Sequence, residues 1–185
     1  MELPLCAFDL KSGILCPRCE EKVSRGLYDE LDIKMMKILL ELEKEFPKLS
    51  KTGYVKTIDT KDTIFIVLKE DSFKHLTQDI FFPLLKKLKE QFKEKIKIVE
   101  DDKEISRFIE KLVAPARIIT INKIWLPDGS EEMRIILDNE RSLKISPEAV
   151  SEVVRKVKNT IVRIDFEEKT VRGRLKIREE KKATP

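Results

Sequence analysis

Helical and strand-like segments occur in the same order twice along this chain, and that repetition constrains the fold more than any single motif. In the first half, "YDELDIKMMKILLELEKEF" spaces its apolar residues for one face of a helix, and the β-branched runs "GYVKTID" and "TIFIVLK" indicate a strand pair. "SFKHLTQDIFFPLLKKLKEQFKE" is helical in spacing with a break at Pro83, and "KIKIVE" is typical of a third strand. The second half repeats helix, strand, strand, helix and strand after roughly 65 residues. We therefore predict two tandem copies of one unit, in the α/β (α+β) class.

The second half also carries clear boundary signals. In "SPEAVSEVVRKV", Ser146 is a helix cap and Pro147 occupies the first helical position. The pattern divides the 185 residues into four predicted segments. These are a Cys-rich, zinc-knuckle-like segment (1–27), a first module (28–100), a second module (101–167) and a basic C-terminal tail (168–185).

The positive charge of the chain is concentrated at one end. The last eighteen residues carry seven Lys+Arg against three Asp+Glu, which accounts for the whole net charge of +4. An anionic partner must therefore meet local basic patches, because the chain has no overall basic field. Charged residues make up 39% of the chain, a composition typical of thermophile proteins. No run reaches the length of a membrane span, so we expect an intracellular, cytoplasmic protein.

All three cysteines lie near the N-terminus, in the pattern C-x2-D-x6-C-x2-C formed by Cys6, Asp9, Cys16 and Cys19. Two residues between thiolates let both sulfurs converge on one ion, and a carboxylate oxygen is a further ligand for Zn²⁺. The pattern predicts a structural zinc site with Asp9 as the fourth ligand. Distant His75, a water molecule or no group at all are the alternatives for that fourth position, and an empty relic or a redox CxxC are alternatives to zinc.

Signals for catalysis are missing from the sequence. His75 is the only histidine, and it falls in a loop or at the start of a helix. No nucleophile elbow, phosphate-binding loop or dinucleotide fingerprint occurs. We therefore predict that the protein is not an enzyme.

Two stretches carry a resemblance to a known family. "KSGILCPRCEEK" near the N-terminus and "LVAPARIITINKIWLPDGSEEMRIIL" at the start of the second half resemble the archaeal NusA-like KH-domain proteins, which are transcription factors that bind RNA. The resemblance extends from Cys6 to Phe166 and leaves out the tail. It implies two tandem αββααβ modules of the type II KH kind, each with a Gly-x-x-Gly loop between two helices that clamps single-stranded nucleic acid.

The chain departs from the family pattern at the residues that would bind RNA. The loop of the first module would fall at Asp79 to Phe82, which are "DIFF", and "SLKISPEAV" of the second module also has no glycine. Bulky side chains there prevent the close backbone approach that such a loop requires. Asp9 also stands where the family has cysteine. Both modules are therefore degenerate as nucleotide clamps.

Other residues remain as candidates for binding. Basic residues that could face RNA phosphates occur in "LLKKLKEQFKEKIK" and in the alternating tail stretch "VRGRLKIRE", and they are Lys86, Lys87, Lys89, Lys93, Lys95, Lys97, Arg172, Arg174, Lys176 and Arg178. A Lys/Glu-rich solvated helix face and a solvated tail are the alternatives. Phe81 and Phe82 are adjacent, so on a helix they cannot both point inward, and one is a candidate contact for a protein partner, with a remodelled core as the alternative.

Other aromatic residues are predicted to lie in the core. Phe65, Phe92 and Phe108 have core spacing, and Trp125 lies on a strand before the turn at Pro127.

Two functions follow as hypotheses. The first is a NusA-like transcription elongation or termination factor, an RNA-associated protein that acts with RNA polymerase through basic surfaces. The second is a protein-interaction factor that has lost RNA affinity and docks on polymerase or on the small ribosomal subunit.

Overall fold

The computed structural model describes residues 1–92, 94–125, 129 and 131–167. Over these residues the chain forms six α-helices and two three-stranded β-sheets. This arrangement confirms the predicted α/β (α+β) class. No helix among the described residues is long and apolar enough to cross a membrane.

The elements of each half follow the predicted order. Two short helices come first, namely α1 (Ala7–Ser12) and α2 (Pro17–Ser24). The first unit consists of α3 (Glu30–Leu42), β1 (Tyr54–Asp59), β2 (Thr63–Leu68), α4 (Gln78–Gln91) and β3 (Lys95–Glu100). The second unit consists of α5 (Ile105–Val113), β4 (Ile118–Trp125), β5 (Glu131–Leu137), α6 (Pro147–Lys158) and β6 (Ile161–Phe166).

Both sheets have the same topology. In the first, β1 pairs antiparallel with β2 and β2 pairs parallel with β3, with Thr57 opposite Ile66 and Ile66 opposite Ile98. In the second, β4 is antiparallel to β5 and β5 is parallel to β6, so the strand orders are β1-β2-β3 and β4-β5-β6. The parallel pairs need a crossover, which α4 and α6 provide.

The first sheet is buried on both faces, which explains why every residue of β2 is buried. Ile64 and Ile66 contribute to a core with α3 and α4, while Phe65 and Val67 point to a second core that includes Phe108 of α5. The two units therefore share this sheet as a common layer. The predicted boundary at residues 100 and 101 falls between β3 and α5, and the division into modules stays a prediction.

The connections between β2 and α4 and between β5 and α6 differ from the sequence interpretation. The αββααβ pattern places a helix in each, but the structure has only the short 3-10 turns Ser72–Lys74 and Glu140–Ser142. The loop assigned to Asp79 to Phe82 is also wrong, because these residues form the first turns of α4. Thr77 is the residue before that helix, so the connection ends earlier than the family pattern implied.

Two further expectations are corrected. Pro83 does not break α4. A proline at the sixth position of the helix loses the bond to the Asp79 carbonyl and crowds that carbonyl with its ring, but Leu84 and Leu88 anchor the helix in the first core. Trp125 is not a core residue, since its position at the end of β4 leaves 69% of it exposed. Phe65, Phe92 and Phe108 are buried as predicted.

Candidate metal centre and basic surface

Local backbone geometry brings the N-terminal cysteines together. Gly13 follows α1 with φ of +78°, and its N–H donates to the Asp9 carbonyl, so the chain reverses direction there. Cys16 then serves as the residue before α2, and Pro17 takes the first helical position. Cys16 and Cys19 are three apart at the start of this helix and lie on the same side.

The four predicted ligands form one cluster. Cys6 Sγ, Cys16 Sγ, Cys19 Sγ and a carboxylate oxygen of Asp9 all lie within 4.8 Å of one another. A tetrahedral Zn²⁺ with Zn–S bonds of about 2.3 Å separates its sulfurs by about 3.8 Å, so a small contraction would complete the sphere. His75 is not a member of this cluster, which removes it as the fourth ligand. The group could hold a metal ion.

Hydrogen bonds already orient the donors. The Cys16 N–H donates to Asp9 Oδ2 at 2.9 Å, and the Cys6 N–H donates to Cys19 Sγ at 3.3 Å. The hydrogen bonds from Cys16 lower the pKa of Asp9, so its carboxylate stays ionised. Burial raises the pKa of the Cys19 thiol to about 12, so the thiol is not a reactive nucleophile and needs a cation to deprotonate it. These features favour a structural site over a redox one.

The cluster also connects the N-terminal segment to the rest of the protein. Leu5, Leu10 and Cys19 are buried in the first core together with Met36 of α3. A metal ion at this position would therefore hold α1 and α2 against α3. The expected effect of such an ion is on stability.

The basic residues predicted to contact RNA occupy different environments. Lys86 and Lys89 are exposed on α4, whereas Lys87 pairs with Glu45 and its Nζ lies 5.8 Å from the centroid of the Phe46 ring. Lys97 Nζ donates to the Leu112 and Ala114 carbonyls, and burial lowers its pKa. The ammonium groups of Lys87 and Lys97 therefore bind other groups of the protein. Lys93, Arg172, Arg174, Lys176 and Arg178 lie outside the described residues.

The adjacent residues Phe81 and Phe82 point to different sides of α4, as expected for neighbours on a helix. Phe82 is 61% exposed, while Phe81 packs partly buried against the first core. The Phe81 ring makes edge-on contacts with Phe73, at 6.0 Å between centroids, and with Phe82, at 5.8 Å. Phe82 is thus the exposed member of the pair.

A groove beside β6 was missed from the sequence. It has a volume of about 610 Å³ and lies between α6 and the outer edge of β6, where Ser151 Oγ donates to the Val162 carbonyl at 2.8 Å. Its charged side chains are of both signs, namely Glu148, Glu152, Arg155 and Arg163. The groove depends on the position of β6 at the edge of its sheet. That position follows from the strand order, which the sequence pattern leaves open.

Comparisons with known proteins bear on the fold. No protein-family model matches the chain, and no curated protein is significantly similar to it. Among solved structures, the crystal structure of APE1850 matches with a TM-score of 0.50 and 15% sequence identity. The match covers 69% of this chain and 96% of that one. Similarity at this identity supports the fold alone.

Proposed function

We propose that this chain is an RNA-associated binding protein of the NusA-like class, that it acts with RNA polymerase in the cytoplasm, and that it is not an enzyme. The observation that carries the proposal is the pair Lys86 and Lys89, which are exposed on α4 and pair with no carboxylate among the described residues. Ammonium groups that are not neutralised by the protein are available to phosphates. The resemblance of the N-terminal and central stretches to NusA-like proteins supports the same assignment.

RNA affinity and its dependence on salt test this proposal. We expect the full chain to bind a short single-stranded RNA with an affinity that falls as salt rises, since released counterions drive phosphate binding. The variants K86E/K89E and R172E/R174E/R178E should each weaken binding. Unchanged affinity in both variants would refute the proposal.

We propose further that the N-terminal cluster binds Zn²⁺ through Cys6, Asp9, Cys16 and Cys19 and that the ion is structural. The donor set supports this, because three thiols and one carboxylate oxygen suit tetrahedral zinc. Purified protein should contain one zinc per chain by elemental analysis, and C19S should lose it. D9C should retain the ion, since it supplies the thiolate that a four-cysteine site uses, while D9A should bind it more weakly.

A second candidate function is docking on a protein machine without RNA, either polymerase or the small ribosomal subunit. The exposed ring of Phe82 supports it. Capture from host lysate with and without RNase, followed by mass spectrometry, separates the candidates. Small-subunit ribosomal proteins that remain after RNase favour the second candidate. Polymerase subunits that remain after RNase favour the transcription factor if the chain also binds RNA in the salt series above, and they favour docking without RNA if it does not.

A further inference from the structure

The solvent-facing side of α4 presents an aromatic ring and two amines in line. Phe82, Lys86 and Lys89 occupy positions i, i+4 and i+7, which lie on one face of a helix. All three are exposed. At 1.5 Å per residue, the two lysines start about 6 Å and about 10.5 Å along the helix axis from Phe82.

The Phe82 ring is held in place although it is exposed. Its contact with Phe81 is edge-on, with 82° between the ring planes, and Phe81 in turn contacts Phe73 and the first core. Such a contact restricts the rotation of the ring, so less conformational entropy is lost when a ligand stacks on it.

Two ammonium groups without acidic partners lie along this face. Lys87 points away from it to Glu45, and neither Lys86 nor Lys89 has an acidic partner in the part of the chain that the structure describes. Asp79 lies three residues before Phe82 and Glu90 lies four residues after Lys86, so a carboxylate borders each end of the stripe. Between these ends a ligand meets the aromatic ring and then the two ammonium groups.

We propose that Phe82, Lys86 and Lys89 form a binding site for single-stranded RNA, in which an unpaired base stacks on Phe82 and the adjoining phosphates pair with the two lysines. This assignment rests on the RNA-binding function proposed above. Aromatic rings beside a basic track bind single strands without sequence preference, because every base has a stacking face. The exposed rings of Phe73 and Phe82 are joined through Phe81 into a small apolar patch, and the two lysines that follow this patch along α4 favour an anionic strand over an apolar protein surface as the ligand.

Binding of a fluorescein-labelled oligoadenylate to the full chain, followed by anisotropy across a salt series, tests the site. F82L keeps an apolar side chain but removes the ring, and it should weaken binding by about 5-fold or more. F82Y restores the aromatic face and should bind like the wild type. K86Q/K89Q should reduce the slope of log affinity against log salt by about 1.4, which corresponds to two lost phosphate contacts on a single strand.

Matched controls separate the site from general effects. F8L changes another exposed phenylalanine, which is 78% exposed in α1, and K37Q/K44Q removes the same charge from exposed positions elsewhere. Both should leave oligoadenylate binding within about two-fold of the wild type. A duplex RNA of equal length should bind F82L and wild type equally, because its bases are already stacked.

The outcomes distinguish this site from the function on which it rests. Binding by the wild type with no loss in F82L and no change of salt slope in K86Q/K89Q would overturn the site while leaving RNA binding intact. Absence of RNA binding by the wild type would overturn both. Loss of RNase-resistant protein capture in F82L, with unchanged RNA affinity, would assign Phe82 to protein docking and also overturn the site.

Discussion

Replacing Tyr54 with phenylalanine tests a buried polar network that fixes α3 on the first sheet. Asp32 is fully buried, and its Oδ1 accepts a hydrogen bond from the Tyr54 hydroxyl at 2.5 Å and one from the Thr57 N–H at 2.7 Å. Its Oδ2 accepts from the Asp29 N–H at 3.1 Å, which completes the capping box of α3. The Thr57 hydroxyl lies 2.7 Å from the Tyr54 oxygen.

The expected loss in the free energy of unfolding follows from the hydrogen bond that Y54F removes. The variant keeps the buried ring but deletes one hydrogen bond to a carboxylate, and such a bond contributes about 1.5–3 kcal/mol. The Thr57 hydroxyl also loses its neighbour. We therefore expect the free energy of unfolding to fall by about 1.5–3 kcal/mol, measured by urea denaturation with an unchanged m-value.

Tyr28 provides a matched control within the same chain. Its side chain is half-buried, and its hydroxyl makes no hydrogen bond to any residue that the structure describes. Y28F should change the free energy of unfolding by less than about 0.5 kcal/mol. A Y54F variant as stable as the wild type, or equal losses in both variants, would refute the assignment of this network.

Three further expectations concern stability. F108A and L84A empty different cores and should each reduce the free energy of unfolding, by about 3–5 and about 2–5 kcal/mol. We expect one transition, seen alike by far-ultraviolet circular dichroism of the backbone and near-ultraviolet circular dichroism of the aromatic side chains; separate transitions would show that the units unfold independently. Burial raises the pKa of Asp32, so the stability that Asp32 contributes is present below its unfolded pKa and is lost as pH rises through its folded pKa. D32N should flatten that part of the plot of unfolding free energy against pH, and an unchanged plot would contradict this expectation. The hydrogen bond from Lys111 lowers the pKa of Asp102, so the stability that this pair contributes should be lost as pH falls through the folded pKa of Asp102. On acidification, the unfolding free energy of K111M should therefore fall by less than that of the wild type.

Local signals in the sequence predicted most of the secondary structure. Ser146 caps α6 through its hydroxyl, which accepts from the Ala149 N–H at 3.3 Å, and Pro147 follows it as expected. These features are set within a few residues of the chain, so they depend little on tertiary contacts.

Features that depend on tertiary packing were harder to predict. Pro83 is a helix breaker by propensity, but burial of Leu84 and Leu88 outweighs the lost hydrogen bond and the crowding of the Asp79 carbonyl that a proline at this position causes. Trp125 was assigned to the core from its place on a strand, but it lies at the very end of β4 and is exposed, and local periodicity cannot locate the end of a strand. Short 3-10 turns occur before α4 and α6, where the family pattern implied helices. Each of these two connections has too few apolar residues to bury the face of a helix.

The candidate metal site was predictable from the sequence because it also depends on local spacing. The spacing of Cys6, Asp9, Cys16 and Cys19 fixes which side chains can meet, and Gly13 supplies the positive φ that the reversal between them needs. The exposure of Phe82 and the pairing of Lys87 were not predictable, because they depend on how α4 is rotated against the first core and on the position of Glu45.

The residues before α4 and α6 explain why any RNA affinity of this chain should come from side chains. Neither "KEDSFKHLT" nor "DNERSLKIS" contains glycine, and in the first of them a positive φ is adopted by Asp71, at 68°. A Cβ at every position of both connections prevents the close approach of phosphates to the backbone that a glycine loop allows. Backbone contacts depend little on salt, whereas contacts to lysine release counterions. The slope of affinity against salt therefore separates a side-chain interface from a backbone clamp, and an affinity that does not change with salt would contradict the side-chain interface.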